Sequence, residues 1–218
     1  MTVDLLEACR YLGVRGEPDD ATLALVTSCA QEVQNAAQPR STSREVPVRQ
    51  AAGKLFLGPI ETRSADLIKL LAGCERALLF AATLGAGVDR LILRATAASA
   101  ARAVALDAAA SALIESFCDG CQAELASRYQ QEELRLTPRF SPGYGDLPLS
   151  LQGAVLDLLG APKAIGLTLT DGGMLAPVKS VTAVMGLTKN PAAVSCGCRC
   201  ALCKKTDCKF RKTTNKGV

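Results

Sequence analysis

The stretch Ile165-Gly-Leu-Thr-Leu-Thr-Asp-Gly-Gly-Met-Leu-Ala-Pro-Val-Lys-Ser-Val-Thr-Ala-Val-Met-Gly-Leu187 decides the fold class. Ile165, Leu167 and Leu169 alternate onto one face, as do Val181, Ala183, Met185 and Leu187, and Gly172, Gly173 and Pro177 punctuate the chain between them. A period of two predicts two strands with a connection over 171–178. Upstream the pattern changes to helical spacing. Asp146 can cap a helix running to Leu159 and stopped by Gly160, with Leu147, Leu151, Val155 and Leu158 on one face. Arg135 to Thr137 reads as a strand edge.

The first half mixes the two patterns again. A short helix over Val3 to Leu12 closes at Gly13, and a second starts at Asp19 or Asp20 and fades by Ala37 before Pro39. Strand-like pieces follow, Glu45 to Val48 and Lys54 to Leu57, separated by Pro47 and Gly53. Ser64 caps a short helix ending before Gly73, and Ala77 to Thr83 is an apolar strand. A long helical stretch then reaches Tyr129, with a break expected near Gly120. No regular strand–helix–strand order organises these pieces. They predict an α+β domain, helices around a twisted, mainly antiparallel sheet, followed by a short Cys-rich tail. Gly85-Ala86-Gly87 joins a strand to a helix, but Arg90 stands where a dinucleotide loop needs its third glycine, so a tight turn is the better reading.

Bulk composition narrows the chemistry. The 218 residues are 49% hydrophobic with only 4% aromatic, so the core must be built from Ala, Leu and Val. Histidine is absent, which removes the commonest general base and metal ligand. The net charge of +4 hides a division. From Arg199 onward seven basic residues face one acidic residue, which leaves −2 on the rest of the chain. An acidic body without a basic face argues against nucleic acid as partner. Arg102 and Asp107 interrupt the Ala-rich run from Ala95 to Ile114, so no membrane span is expected, and the N-terminal segment lacks a signal-peptide layout. A cytoplasmic location is the expectation.

Arg139-Phe-Ser-Pro-Gly-Tyr-Gly-Asp146 is a loop by every signal, and two glycines flank Tyr144. Arg139 offers a planar fork suited to a carboxylate, and Tyr144 a ring face with a hydroxyl. A Pro-Gly turn with a surface Arg and a Tyr packed for shape explains the same residues equally well.

The segment Arg139 to Leu149 resembles the R-x-x-x-G-Y motif in the activation, or reactivation, domain of cobalamin-dependent methionine synthase. Gly166 to Asp171, Met174, Pro177 and Ser180 to Ala183 are similar to that domain's closing hairpin, and Ala81 to Arg90 to a stretch of its free-standing members. The resemblance spans residues 1–190 and implies a domain over 1–191 that binds S-adenosylmethionine in a shallow cleft. It implies that Arg139 binds the methionyl carboxylate, Phe140 gives backbone contacts, and Gly143 and Tyr144 line the adenosyl pocket. It implies no catalytic residue, because a methyl group passes directly from a sulfonium to cobalt. The partners so implied are the cobalamin-binding module of a separate, short methionine synthase and an electron donor. The motif that supplies the family's acidic contact to the ligand amine is missing. Asp107, Asp146 and Asp171 are the candidates in its place, and the family's ligand-contacting Tyr is replaced near Met185.

The tail, 192–218, carries Cys196-x-Cys198-x-Cys200-x-x-Cys203 and Cys208 among basic neighbours. Five thiols in a segment too short for a core suit a zinc or iron–sulfur site, and the nearby Lys and Arg favour thiolates. Cys118-x-x-Cys121, in helical sequence, reads as paired small core residues rather than a redox motif. Two functions are therefore expected in competition: a methyl-donating repair subunit, and a non-catalytic, metal-stabilised scaffold for a corrinoid protein.

Overall fold

The computed structural model describes residues 1–190. A six-stranded sheet forms its centre, made of β1 (Arg40–Ala51), β2 (Lys54–Leu57), β3 (Ile60–Thr62), β4 (Arg76–Thr83), β5 (Arg135–Leu136) and β8 (Ser180–Thr188). The spatial order is β3-β2-β1-β4-β8-β5, and every pairing is antiparallel. Thr168–Leu169 (β6) and Leu175–Ala176 (β7) make a separate small hairpin. The fold is α+β, as its mixed periodicities predict.

Helices cover both faces. α2 (Asp20–Ala36), α4 (Ala86–Ala98) and α5 (Ala100–Tyr129) enclose one core with Leu78, Phe80, Ala82, Ala183, Met185 and Leu187. α3 (Ala65–Leu70), α6 (Leu151–Leu159) and α7 (Ala161–Ile165) enclose the other with Ala77, Leu79, Ala81 and Val184. Alternate residues of β4 and β8 thus serve opposite cores, which is why both strands read as continuous apolar runs. Small alanines let α5 lie close to the sheet, and α1 (Leu5–Tyr11) packs onto α2 and α5 through Ala8, Cys9, Val26 and Ala112.

Several local expectations hold. Asp19 and Ser64 cap α2 and α3 with side-chain acceptors, and Gly160 ends α6 in a left-handed conformation. Others are corrected. β1 runs unbroken through Pro47, because the strand changes partner there: residues up to Pro47 pair with β4, and those from Val48 onward pair with β2. The long helical stretch breaks at Ser99, not at Gly120. Ser99 is extended at φ −160° and its Oγ accepts from the Arg102 amide, so it caps α5. Gly120 costs a helix about 1 kcal/mol, which thirty residues of packed helix absorb.

Three further corrections concern the C-terminal half. Asp146 caps α3 instead of starting α6, which begins at Leu151. Ile165 ends α7, and β6 is only two residues long, so the first predicted strand is largely helix and turn. The expected connection contains β7. Gly85, at φ +81°, is the tight turn into α4, and a Cβ on Gly87 would lie 2.4 Å from the Ala36 carbonyl oxygen. That glycine serves helix packing. β4 is antiparallel to both neighbours, so no crossover of the dinucleotide-binding kind exists here.

Candidate ligand cleft

Where β8 begins, the sheet, α5 and the loop after Arg139 leave a cleft of about 360 Å³. The loop is fastened before it reaches the opening. The Phe140 amide donates to the Val184 carbonyl at 2.9 Å and the Val184 amide returns the bond at 2.8 Å, while the ring is buried in the core beneath. Both main-chain groups of Phe140 therefore belong to the sheet. Gly143, at φ +90°, turns the chain and donates to Leu147 at 2.9 Å.

Gly145 lies against α3, where a Cβ would come within 2.3 Å of Asp66 Oδ2. Asp146 accepts from the Ser64 hydroxyl and from the amides of Ala65 at 2.6 Å and Asp66 at 3.2 Å. The Ser64 hydrogen bond, helped by these amides, holds its carboxyl below the usual range. Between these anchors Tyr144 projects into the cleft lining and stays 62% exposed.

The other walls come from elements that carry no motif. α1 supplies Tyr11. Ser111 and Glu115 are one helical turn apart on α5, and Lys179 precedes β8. Burial first, and then the carboxylate of Glu115, push the Tyr11 phenol up to about 12. Lys179, with 11% of its side chain exposed, donates to Ser111 Oγ at 2.9 Å and pairs with Asp107 at 2.8 Å. Polar residues at four-residue spacing within an otherwise alanine-rich helix were the one sequence signal that could have marked Ser111 and Glu115.

Arg139 does not line the cleft itself and meets it through Glu115. Its guanidinium donates to Gln122 Oε1 at 2.8 Å, Asp119 Oδ1 at 2.7 Å and Glu115 Oε2 at 3.1 Å. Burial lowers its pKa, but the Asp119 hydrogen bond and the carboxylates of Asp119 and Glu115 outweigh that and leave it raised. Asp119 and Gln122 face a second, open groove of about 1030 Å³ beside Leu136 and Lys189. The guanidinium thus bridges two depressions through helix α5.

Of the three aspartates considered for the ligand amine, Asp146 is committed to α3, Asp107 to Lys179, and Asp171 lies in the turn of the β6–β7 hairpin. Met185 is fully buried. Cys118 and Cys121 are buried in the core on α5, and burial pushes the Cys118 thiol up to about 12, which keeps it a neutral thiol. No group of three or more His, Cys, Asp or Glu among the described residues could hold a metal ion. Cys196, Cys198, Cys200, Cys203 and Cys208 lie outside the described residues. Among the described residues no helix is long and apolar enough to cross a membrane.

No family model and no curated protein matches the chain by sequence. A solved structure does match: the crystal structure of the MetH reactivation domain bound to AdoHcy, with a TM-score of 0.66 over 84% of this chain and 73% of that one, at 15% identity. This chain has the reactivation-domain fold. The reactivation-domain likeness extends across most of the sheet and its helices. The cleft described above is this chain's own, built by α5, β8 and the Tyr144 loop.

Proposed function

We propose that this protein binds S-adenosylmethionine in the cleft beside Tyr144 and uses it to re-methylate the oxidised cobalamin of a separate methionine synthase. The observation that carries the reading is the coincidence of two things. The fold is that of a reactivation domain whose crystal structure holds AdoHcy, and the R-x-x-x-G-Y loop lies at the lip of a cleft with two tyrosine rings and both charge signs. Tyr11 and Tyr144 offer π-faces to a purine. Arg139 and Glu115 offer opposite charges to the amino-acid end.

The chemistry asks little of the protein. One electron from an external reductant converts the partner's cob(II)alamin to cob(I)alamin. The cobalt electron pair then forms a bond to the sulfonium methyl carbon, and the carbon–sulfur bond breaks with its electrons passing to sulfur. S-adenosylhomocysteine is left, and no proton moves. Holding donor and acceptor in line is the whole task, which suits a cleft without histidine. Exposed Tyr144 and Val178 line the opening and give a partly apolar surface for transient docking over a corrin.

The test starts from a short methionine synthase trapped with cob(II)alamin. Adding this protein, methyl-labelled S-adenosylmethionine and a low-potential reductant should restore methylcobalamin with the label on cobalt. Restored corrinoid stability without label transfer would leave the scaffold reading in its place.

Residues 192–218 form, in this proposal, a distinct basic tail whose cysteines hold an iron–sulfur cluster or zinc. Four thiolates satisfy either centre, and neighbouring cations offset their charge. Anaerobically purified full-length protein should contain iron and sulfide, and deleting 196–218 should remove both while the body stays folded. Stoichiometric zinc without iron would overturn an electron-carrying role and keep a structural one.

A further inference from the structure

The groove of about 1030 Å³ beyond Arg139 has no part in the chemistry above. Asp119, Ala123 and Ala126 of α5 form one wall, and Leu134 and Leu136 form the other. β5 is the last strand of the sheet, and among the described residues no strand covers its outer edge. Lys189 belongs to the same lining. The Asn190 amide donates to Thr188 Oγ1 at 3.0 Å, which fastens the end of β8 beside it.

The direction of β8 gives this placement a consequence. The strand starts at the ligand cleft and runs away from it, and Thr188 pairs with Arg135 next to the C-terminal end of α5. The 28 residues that follow Asn190 therefore leave from the end of the groove farthest from the cleft. At the near end stands Asp119, about one turn beyond the cleft residue Glu115. Gln130 to Asp119 spans about 17 Å of helix, and the six residues from Pro191 to Cys196 cover about 20 Å when extended. Pro191-Ala-Ala-Val-Ser195 carries no charge, suits walls of alanine and leucine, and starts with a residue that favours extended backbone. Glu115 and Asp119 share the one guanidinium of Arg139, and Asp119 is 70% exposed in the groove. Seven basic residues against one acidic follow Asn190, beginning at Arg199, so the sign of the tail suits the end that its cysteines reach.

We propose that residues 191–196 lie extended in this groove, antiparallel to α5, and hold the cysteine cluster at its Asp119 end, beside the ligand cleft. Tethering favours this occupant over a free partner, because a segment anchored at the rim meets its groove at an effective concentration on the order of millimolar. The docking stands without the S-adenosylmethionine reading. Only its use rests on that reading: the centre carried by the cysteines then flanks the place where a corrin docks.

Photocrosslinking in the full-length protein tests it. p-Benzoylphenylalanine in place of Ala123, an exposed residue of the wall, should crosslink within one molecule to residues 191–198, as read by mass spectrometry. The same group in place of Arg128, on α5 but outside the lining, should not. Trypsin supplies a second readout. Ala123→Trp fills the groove and should speed cleavage after Lys189 about tenfold over wild type, because cleavage follows the population of undocked tail. Ala123 faces solvent, so the variant should keep the wild-type urea midpoint. Crosslinks to a second copy would make the groove a self-association surface and overturn the proposal. Crosslinks from position 123 that avoid 191–198, or that match those from position 128, would also overturn it, as would equal cleavage rates in the two proteins. Neither readout involves S-adenosylmethionine, so failure here leaves that reading standing.

Discussion

Replacing Arg139 by alanine is expected to weaken S-adenosylmethionine binding by about 1.5–3 kcal/mol, roughly ten- to 150-fold, the cost of losing a hydrogen bond to a charged group. The geometry adds a second effect that the loop sequence does not foretell. Arg139 ties Glu115, Asp119 and Gln122 of α5 to the chain entering the cleft loop, so its removal leaves two carboxylates one turn apart without their shared cation. Both carboxylates keep access to water, at 45% and 70% exposure, so the stability loss should be modest, about 1 kcal/mol. Arg139→Lys should restore charge but not the three-way fork, and should recover stability better than affinity. Calorimetry and urea titration on the same samples separate the two effects. An unchanged affinity in Arg139→Ala would make the residue a strut between helix and loop.

Phe80→Ala should cost about 3–5 kcal/mol of folding stability, the range for emptying an aromatic site in a close-packed core. Phe80 is 1% exposed on β4, at the centre of the sheet, between Ser43 of β1 and Ala183 of β8. It is the largest fully buried side chain, in a core that sets Ala82, Ala105, Ala109 and Ala110 beside Leu78 and Met185. Alanines have no rotamers with which to refill the space, so the cavity should persist. Equilibrium urea unfolding reads the loss directly. A change below about 1 kcal/mol would mean that α5 settles onto the sheet, contrary to a rigid alanine-lined packing.

Much of this architecture is written in local chemistry. Asp19 and Ser64 announce helix starts, Gly160 announces a stop, and the alternation from Val181 to Leu187 marks a strand, because each acts within one turn or one strand of itself. The loop Arg139 to Asp146 is legible for the same reason: its glycines and proline constrain backbone conformation wherever they occur. The absence of histidine likewise excludes a class of mechanism without any knowledge of contacts.

Tertiary structure alone decides the rest. Pro47 reads as a strand breaker until β1 is seen to exchange β4 for β2 at that point. Asp146 has the spacing to cap α6, yet it caps α3, whose free amides lie about eighty residues earlier in the chain. Nothing local sets Tyr11 apart from other residues on helix surfaces, and only its four-residue spacing from Ser111 marks Glu115. Their place in the cleft follows from how α1 and α5 pack over the sheet, and Arg139 finds its partners twenty residues away because β8 holds Phe140 beside α5. Caps and periodicities are short-range preferences and survive in a one-dimensional reading. A binding cleft is a coincidence of distant segments, and only the burial of both cores against a common sheet brings those segments together.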